Sequence, residues 1–238
     1  GIDPGRVAEM RAHFEANTVA VTDADGATRD ISVDEARSGD SNLAGYDAAT
    51  ILACPHLYEI ASDPEIVSVV ERHLGTAPLV LGFTAWWSFA DRDQALGAQL
   101  YHRDLADYRF CKLFIYLTDV DADAGPHVFV EGTHDPDTVA EARRNAPDGE
   151  ASFHDWYFGQ LRKSDEDVER YFAKTPVRFE GPAGSLFLVN TQGMHKGLLP
   201  KTTERLVCQV LYGVSPMRQS GMSSLRLGTP EASHIADW

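Results

Sequence analysis

Cysteine is scarce in this sequence. Cys54, Cys111 and Cys208 are its three cysteines, an odd count with no C-x-x-C spacing. A disulfide framework and a cysteine-held zinc site are both poor readings of that pattern. Buried free thiols in a reducing compartment are expected instead, and with them a cytoplasmic location. Clustered positive charge is also missing. The chain carries 21 basic against 36 acidic residues, a formal net charge of −15. Nucleic-acid binding lacks its electrostatic footprint here, and an anionic membrane surface has little to attract. No apolar run approaches the length of a membrane span. No secretory leader is visible, although the chain opens on Gly1 rather than methionine, which leaves the native N-terminus open. No internal repeat or interdomain linker stands out, and nothing specifies an oligomeric state. What remains is a chain of 238 residues, 43% hydrophobic, sufficient for one large domain spanning 1–238.

The first part, to about residue 75, reads as helical. Val7, Met10 and Phe14 fall on one face of a helix over 6–16. Residues 18–50 are polar, with a turn at Asp23-Ala24-Asp25-Gly26 that lacks the spacing and closing glutamate of a calcium loop. Two helices are expected over 55–74. Asp63-Pro64-Glu65 marks the second start, Ile66, Val67, Val69, Val70 and Leu74 its buried stripe, and Gly75 its end.

From Pro78 to about 214 the pattern is that of strands. In Phe110–Val120 the residues Cys111, Leu113, Ile115 and Leu117 make one apolar face, and Lys112, Phe114, Tyr116 and Thr118 the other. The apolar face should pack on helices or a second sheet, and the mixed face should line a cavity. Lys112 on that face either needs an anionic partner or reaches solvent at the strand end. Residues 135–175 interrupt the strands with a polar, helical stretch carrying Phe153, Trp156, Tyr157 and Phe158, either a lid over a ligand or an element packed on the sheet. The tail to Trp238 is poorly patterned. Many strands separated by turns indicate a mainly β fold, a jelly roll with flanking helices.

Within that pattern, Tyr101-His102-Arg103-Asp104 reads H-x-D. On a strand, residues two apart share a face, so imidazole and carboxylate would stand side by side. His195, far along the chain, would complete a two-histidine, one-carboxylate triad with open positions, the arrangement suited to non-haem Fe(II). Arg205 opens the apolar strand Leu206–Tyr212 ten residues later. An arginine there calls for an anion, either a surface acid or a bound carboxylate.

H-x-D, then His195, then Arg205 resembles the Fe(II)/2-oxoglutarate-dependent oxygenases, and within them the phytanoyl-CoA dioxygenase family. The stretches that carry the likeness are Gln99–Asp104, Gly125–His134 and Gly193–Gly197 followed by Arg205. Glu131 stands where the family usually has proline. The resemblance implies a double-stranded β-helix, Fe(II) on His102, Asp104 and His195, and Arg205 on the distal carboxylate of 2-oxoglutarate. It further implies Phe114 against that cosubstrate, with Gln99, Lys112 and Thr118 as polar contacts. Trp86, Tyr116 and Trp156 are candidate lining for the substrate pocket. The implied reaction consumes O2 and 2-oxoglutarate, releases succinate and CO2, and oxidises a C–H bond. Asp104 favours hydroxylation, desaturation or ring closure, because related halogenases carry a small residue there. The net charge fits a polyanionic CoA thioester poorly, so a neutral or cationic small molecule in biosynthetic tailoring is expected. Two competitors are a jelly-roll metalloprotein with isomerase or hydrolase chemistry and a catalytically silent binding relative. Arg205 argues against the first, and the intact triad against the second.

Overall fold

The computed structural model describes residues 1–22 and 26–215. The Asp23–Asp25 turn and the tail from residue 216 lie outside the described residues. The chain begins with helix α1 (Pro4–Glu15), strands β1 (Val19–Thr22) and β2 (Thr28–Ile31), helix α2 (Val33–Ser38) and strand β3 (Leu43–Gly45). Helices α3 (Ala48–Leu52), α4 (Leu57–Ala61) and α5 (Pro64–Leu74) lead into the long strand β4 (Leu79–Ser88). A 3-10 turn at Gly97–Gln99 precedes β5 (Phe110–Tyr116) and β6 (His127–Phe129). Helices α6 (Pro136–Arg144), α7 (Glu150–Gly159) and α8 (Asp165–Phe172) are followed by β7 (Val177–Phe179), β8 (Leu186–Val189), β9 (His195–Gly197) and β10 (Arg205–Gly213).

Two antiparallel sheets form, ordered β2-β1-β3-β4-β10-β5-β8 and β7-β6-β9. With helices on their outer faces they make a jelly roll. The central strand β10 shows why. Leu206, Cys208, Val210 and Tyr212 point into the main core, where they meet Met10 and Phe14 of α1 and Leu74 of α5. Arg205, Val207 and Gln209 point the other way, into the cavity between the sheets. Strand β5 obeys the same alternation, with Cys111, Leu113 and Ile115 in the core and Lys112, Phe114 and Tyr116 on the cavity side. A strand buried on both faces sheds water from both, which accounts for the near-continuous apolar run Leu206–Leu211. All three cysteines are free and buried, and burial pushes the Cys54 and Cys111 thiols up to about 12.

Helix α5 follows its capping signals. Asp63 accepts hydrogen bonds from the backbone N–H of Glu65 at 2.9 Å and of Ile66 at 3.2 Å, Pro64 takes the first turn, and Gly75 ends the helix at φ 75°. Its stripe is narrower than its apolar residues suggest: Val70 and Leu74 are buried, while Val69 is 44% exposed. The N-terminal part differs more from the helical expectation. Strands β1 to β3 extend the large sheet beyond β4. β2 is Thr-Arg-Asp-Ile, exposed along most of its length, so it carries no two-residue apolar rhythm and is held by backbone pairing to β1.

The 135–175 segment packs as structure. Phe153, Trp156, Tyr157, Tyr171 and Phe172 are buried with Val128, Val130 and Met194, forming a second core on the outer face of the small sheet. Trp156 is 4% exposed and its indole lies 4.5 Å from the Tyr171 ring. The aromatic residue left out is Phe158, 62% exposed. Trp156→Ala is therefore expected to cost about 3–5 kcal/mol of stability, the usual range for emptying a buried tryptophan site. Thermal unfolding checks this, together with succinate formed per folded molecule, which should stay near wild type. A normal melting temperature with lost substrate oxidation would restore the lid reading.

Candidate active site

Backbone pairing brings the H-x-D segment to the second histidine. His102 N–H donates to the His195 carbonyl and His195 N–H to the His102 carbonyl, each at 3.0 Å. Such a pair holds two side chains as neighbours, and the imidazole centroids lie 4.2 Å apart. The expected strand through the motif is in fact a bridge at Tyr101 and His102. Asp104 lies outside it, positioned instead by its own N–H donating to the Thr191 carbonyl at 2.8 Å.

Both rings are oriented from behind. Nδ1 of His102 lies 2.8 Å from the Leu100 carbonyl, and Nδ1 of His195 lies 2.9 Å from that of Gly193. A carbonyl can only accept, so each Nδ1 carries a proton and each Nε2 is the ring nitrogen turned toward the site. Those two nitrogens face Asp104, at 4.0 Å from Oδ1 for His102 and 3.4 Å from Oδ2 for His195. Burial, then the neighbouring His195, push the His102 imidazole down to about 3, which keeps it neutral. Burial opposes ionisation of Asp104, but the hydrogen bond from His195 and the charge of Lys112 outweigh it and hold the carboxyl below its ordinary range. Two imidazoles and a carboxylate, with ligand atoms all within 4.8 Å of one another, fit a divalent metal with open positions.

Lys112 has found its anion. Its Nζ lies 2.7 Å from Oδ2 of Asp104, a close ion pair on the cavity wall. Arg205 has none among the described residues, although it is 4% exposed. Its Nη1 donates to the Gly125 carbonyl and its Nη2 to the Ser88 hydroxyl at 3.2 Å, leaving Nε without a partner. Gly125 can aim that carbonyl because of its backbone, at φ +70°, and because a Cβ there would stand 2.5 Å from the Leu198 carbonyl. Triad, Lys112 and Arg205 all line one cavity of about 430 Å³ between the sheets.

The family model of phytanoyl-CoA dioxygenase (PhyH) matches residues 1–204. The chain belongs to the phytanoyl-CoA dioxygenase family. Solved structures with the same fold include the non-haem, α-ketoglutarate-dependent epimerase SnoN from nogalamycin biosynthesis, 16% identical, with a TM-score of 0.56 over 94% of this chain and 88% of that one. The carbocyclase SnoK, also α-ketoglutarate-dependent and from nogalamycin biosynthesis, is 18% identical, with a TM-score of 0.57 over 89% and 76%. HygX from Streptomyces hygroscopicus, solved with nickel and 2-oxoglutarate bound, is 17% identical, with a TM-score of 0.56 over 91% and 81%. No curated protein matches the chain in sequence.

For this member of the dioxygenase family, the structure sorts the residues expected at the site. Gln99, Phe114, Trp86 and Tyr116 line the cavity with the triad, Lys112 and Arg205. Thr118 does not; its hydroxyl accepts the Leu206 N–H at 3.2 Å and ties β10 to the end of β5. Trp156 does not either, since it faces the second core. The Tyr116 hydroxyl is occupied, donating to the Phe179 carbonyl and accepting the His127 N–H, each at 2.9 Å. Sequence reasoning passed over Ser88, Thr84, Gln209 and His127. The first three take their places from strand register, Ser88 beside Arg205 and Thr84 beside Gln209. His127 shares a face with Phe129 by alternation, and that face proves to be the cavity side.

Proposed function

We propose that this chain couples the oxidative decarboxylation of 2-oxoglutarate to oxidation of a neutral small molecule, with hydroxylation as the default outcome and biosynthetic tailoring as the setting. One observation carries the reading: a metal-fitting triad and a buried arginine without an anion share a single cavity. Iron with bound cosubstrate supplies O2-dependent oxidation of an unactivated C–H bond, releasing succinate and CO2. His102, Asp104 and His195 would hold the metal, and Arg205 would hold the far carboxylate. The two sheets exclude water around both.

The remaining lining supports the substrate class. With triad, Lys112 and Arg205 assigned, no other charged side chain lines the cavity among the described residues. Trp86, Phe114 and Val207 offer an apolar wall, and Thr84 and Gln209 offer neutral hydrogen-bonding groups. Thr84, Gln209, Lys112 and Asp104 also border an adjoining depression of about 260 Å³ with Leu105 and Ala106, which serves as the route in. Such a site suits an uncharged metabolite with an apolar body, and a −15 chain repels a polyanionic thioester. The likeness to SnoN, SnoK and HygX supports the setting, HygX having also been solved with hygromycin B bound.

Protein loaded with Fe(II) in air is expected to turn 2-oxoglutarate into succinate slowly by itself. Neutral natural-product scaffolds should raise the rate several-fold, and acyl-CoA thioesters should not. No succinate under any condition would remove the reading, and stimulation by thioesters alone would replace the substrate class.

A further inference from the structure

Three buried side-chain nitrogens on residues lining the cavity have no hydrogen-bond partner among the described residues: Gln99 Nε2, His127 Nε2 and Arg205 Nε. The three residues are between 2% and 5% exposed. A buried donor left unpaired costs stability, so three in one cavity mark the place of an acceptor-rich ligand.

Gln99 can only be a donor there. Its Oε1 accepts the Leu96 backbone N–H at 3.0 Å and Asn42 Nδ2 at 2.7 Å, while the same Asn42 nitrogen donates to the Gln94 carbonyl at 2.8 Å. A backbone N–H cannot be reversed, so the amide cannot flip and its NH2 has no protein acceptor. His127 approaches from the other side. It pairs with Gly197 across β6 and β9, and a Cβ on Gly197 would stand 2.7 Å from Nη2 of Arg205. The 3-10 turn bearing Gln99 packs against the same strand β9. The Nε2 of His127 is buried without a partner, and a bound acceptor would select the tautomer that carries the proton there.

We infer that Gln99 and His127 flank Arg205 as two further donors to the distal carboxylate of 2-oxoglutarate, making the part of the cavity around Arg205 a three-sided carboxylate cradle. The inference rests on the proposed function. A carboxylate offers about four acceptor sites. Arg205 already gives one hydrogen bond to Gly125 and another to Ser88, so it cannot fill those sites alone, and an unfilled site on a buried anion is costly. The amide and the imidazole complete the set. They are positioning residues for the cosubstrate and take no part in bond breaking.

The test is calorimetric titration of Ni(II)-loaded protein with 2-oxoglutarate and with 2-oxopentanoate, which keeps the chelating end and the chain length but replaces the distal carboxylate by a methyl group. Gln99→Glu keeps both accepted hydrogen bonds and exchanges the donors for a repelling oxygen. It should raise Kd for 2-oxoglutarate at least ~50-fold, and His127→Leu should raise it ~10-fold. His127→Gln, which returns an N–H near the position of Nε2, should recover most of the loss. None of the three should move Kd for 2-oxopentanoate more than about threefold. Equal losses for both oxo acids would overturn the inference, because the residues would then act through the metal ligands. Unchanged 2-oxoglutarate binding in both Gln99→Glu and His127→Leu would overturn it too, leaving the parent reading standing. Wild-type protein that fails to bind 2-oxoglutarate at all would remove the parent reading itself, and the cradle with it.

Discussion

His102→Ala and Asp104→Ala are each expected to abolish Fe(II)-dependent succinate formation, to at least ~1,000-fold below wild type. The loss of an outer hydrogen-bond partner to a metal ligand typically costs 10–100-fold, and losing the ligand itself must cost more. Three protein ligands leave the remaining positions to cosubstrate and O2. The fold should survive both changes. His102 is held to His195 by backbone bonds that alanine retains, and Asp104 is placed by its own N–H to Thr191. Asp104→Ala also strips Lys112 of its ion-pair partner, but that side chain keeps 14% exposure and can turn toward the mouth. The measurements are succinate yield, metal content after dialysis and a melting curve. Full activity in either variant would remove the metal assignment. Lost activity together with a collapsed melting temperature would show that these side chains hold the fold instead.

Arg205→Ala should weaken 2-oxoglutarate binding by tens to thousands of fold, the equivalent of about 2–5 kcal/mol for one partner of a buried charge pair. Metal content should stay near wild type, because Arg205 contacts Gly125 and Ser88 and no member of the triad. The melting temperature of the ligand-free protein is the internal control. Arg205 sits desolvated without a carboxylate, and burial pulls its guanidinium down from the usual value. Removing such a charge sacrifices two hydrogen bonds but also relieves a desolvation penalty, so the net change should be small. Arg205→Lys should recover part of the affinity at most, since an ammonium lacks the two-pronged geometry of the guanidinium. Normal cosubstrate affinity in Arg205→Ala would place the anchor elsewhere. Lys112 is the less suitable alternative, because it is already paired with Asp104.

The parts of this molecule that were legible in the amino-acid sequence are those set by local periodicity and short-range chemistry. The alternation through Cys111–Leu117 separates a core face from a cavity face whatever lies opposite, because the pleat has a period of two. Asp63, Pro64 and Gly75 bound helix α5 through caps that need no tertiary partner. The triad was readable through its resemblance to a known family, not through spacing alone. The tertiary structure decided everything that depends on which surface meets which. Trp156 carries the same aromatic side chain as Trp86, yet one fills a core behind the small sheet and the other lines the cavity. Thr118 continues the cavity face of β5 by alternation, but the strand ends at Tyr116 and its hydroxyl caps a backbone N–H instead. β2 carries too little apolar rhythm to announce itself, since an edge strand is held chiefly by backbone bonds that any side chain permits. His127 became a candidate site residue only once β6 was laid beside β9, because a polar group's role depends on which partners the fold has left it without.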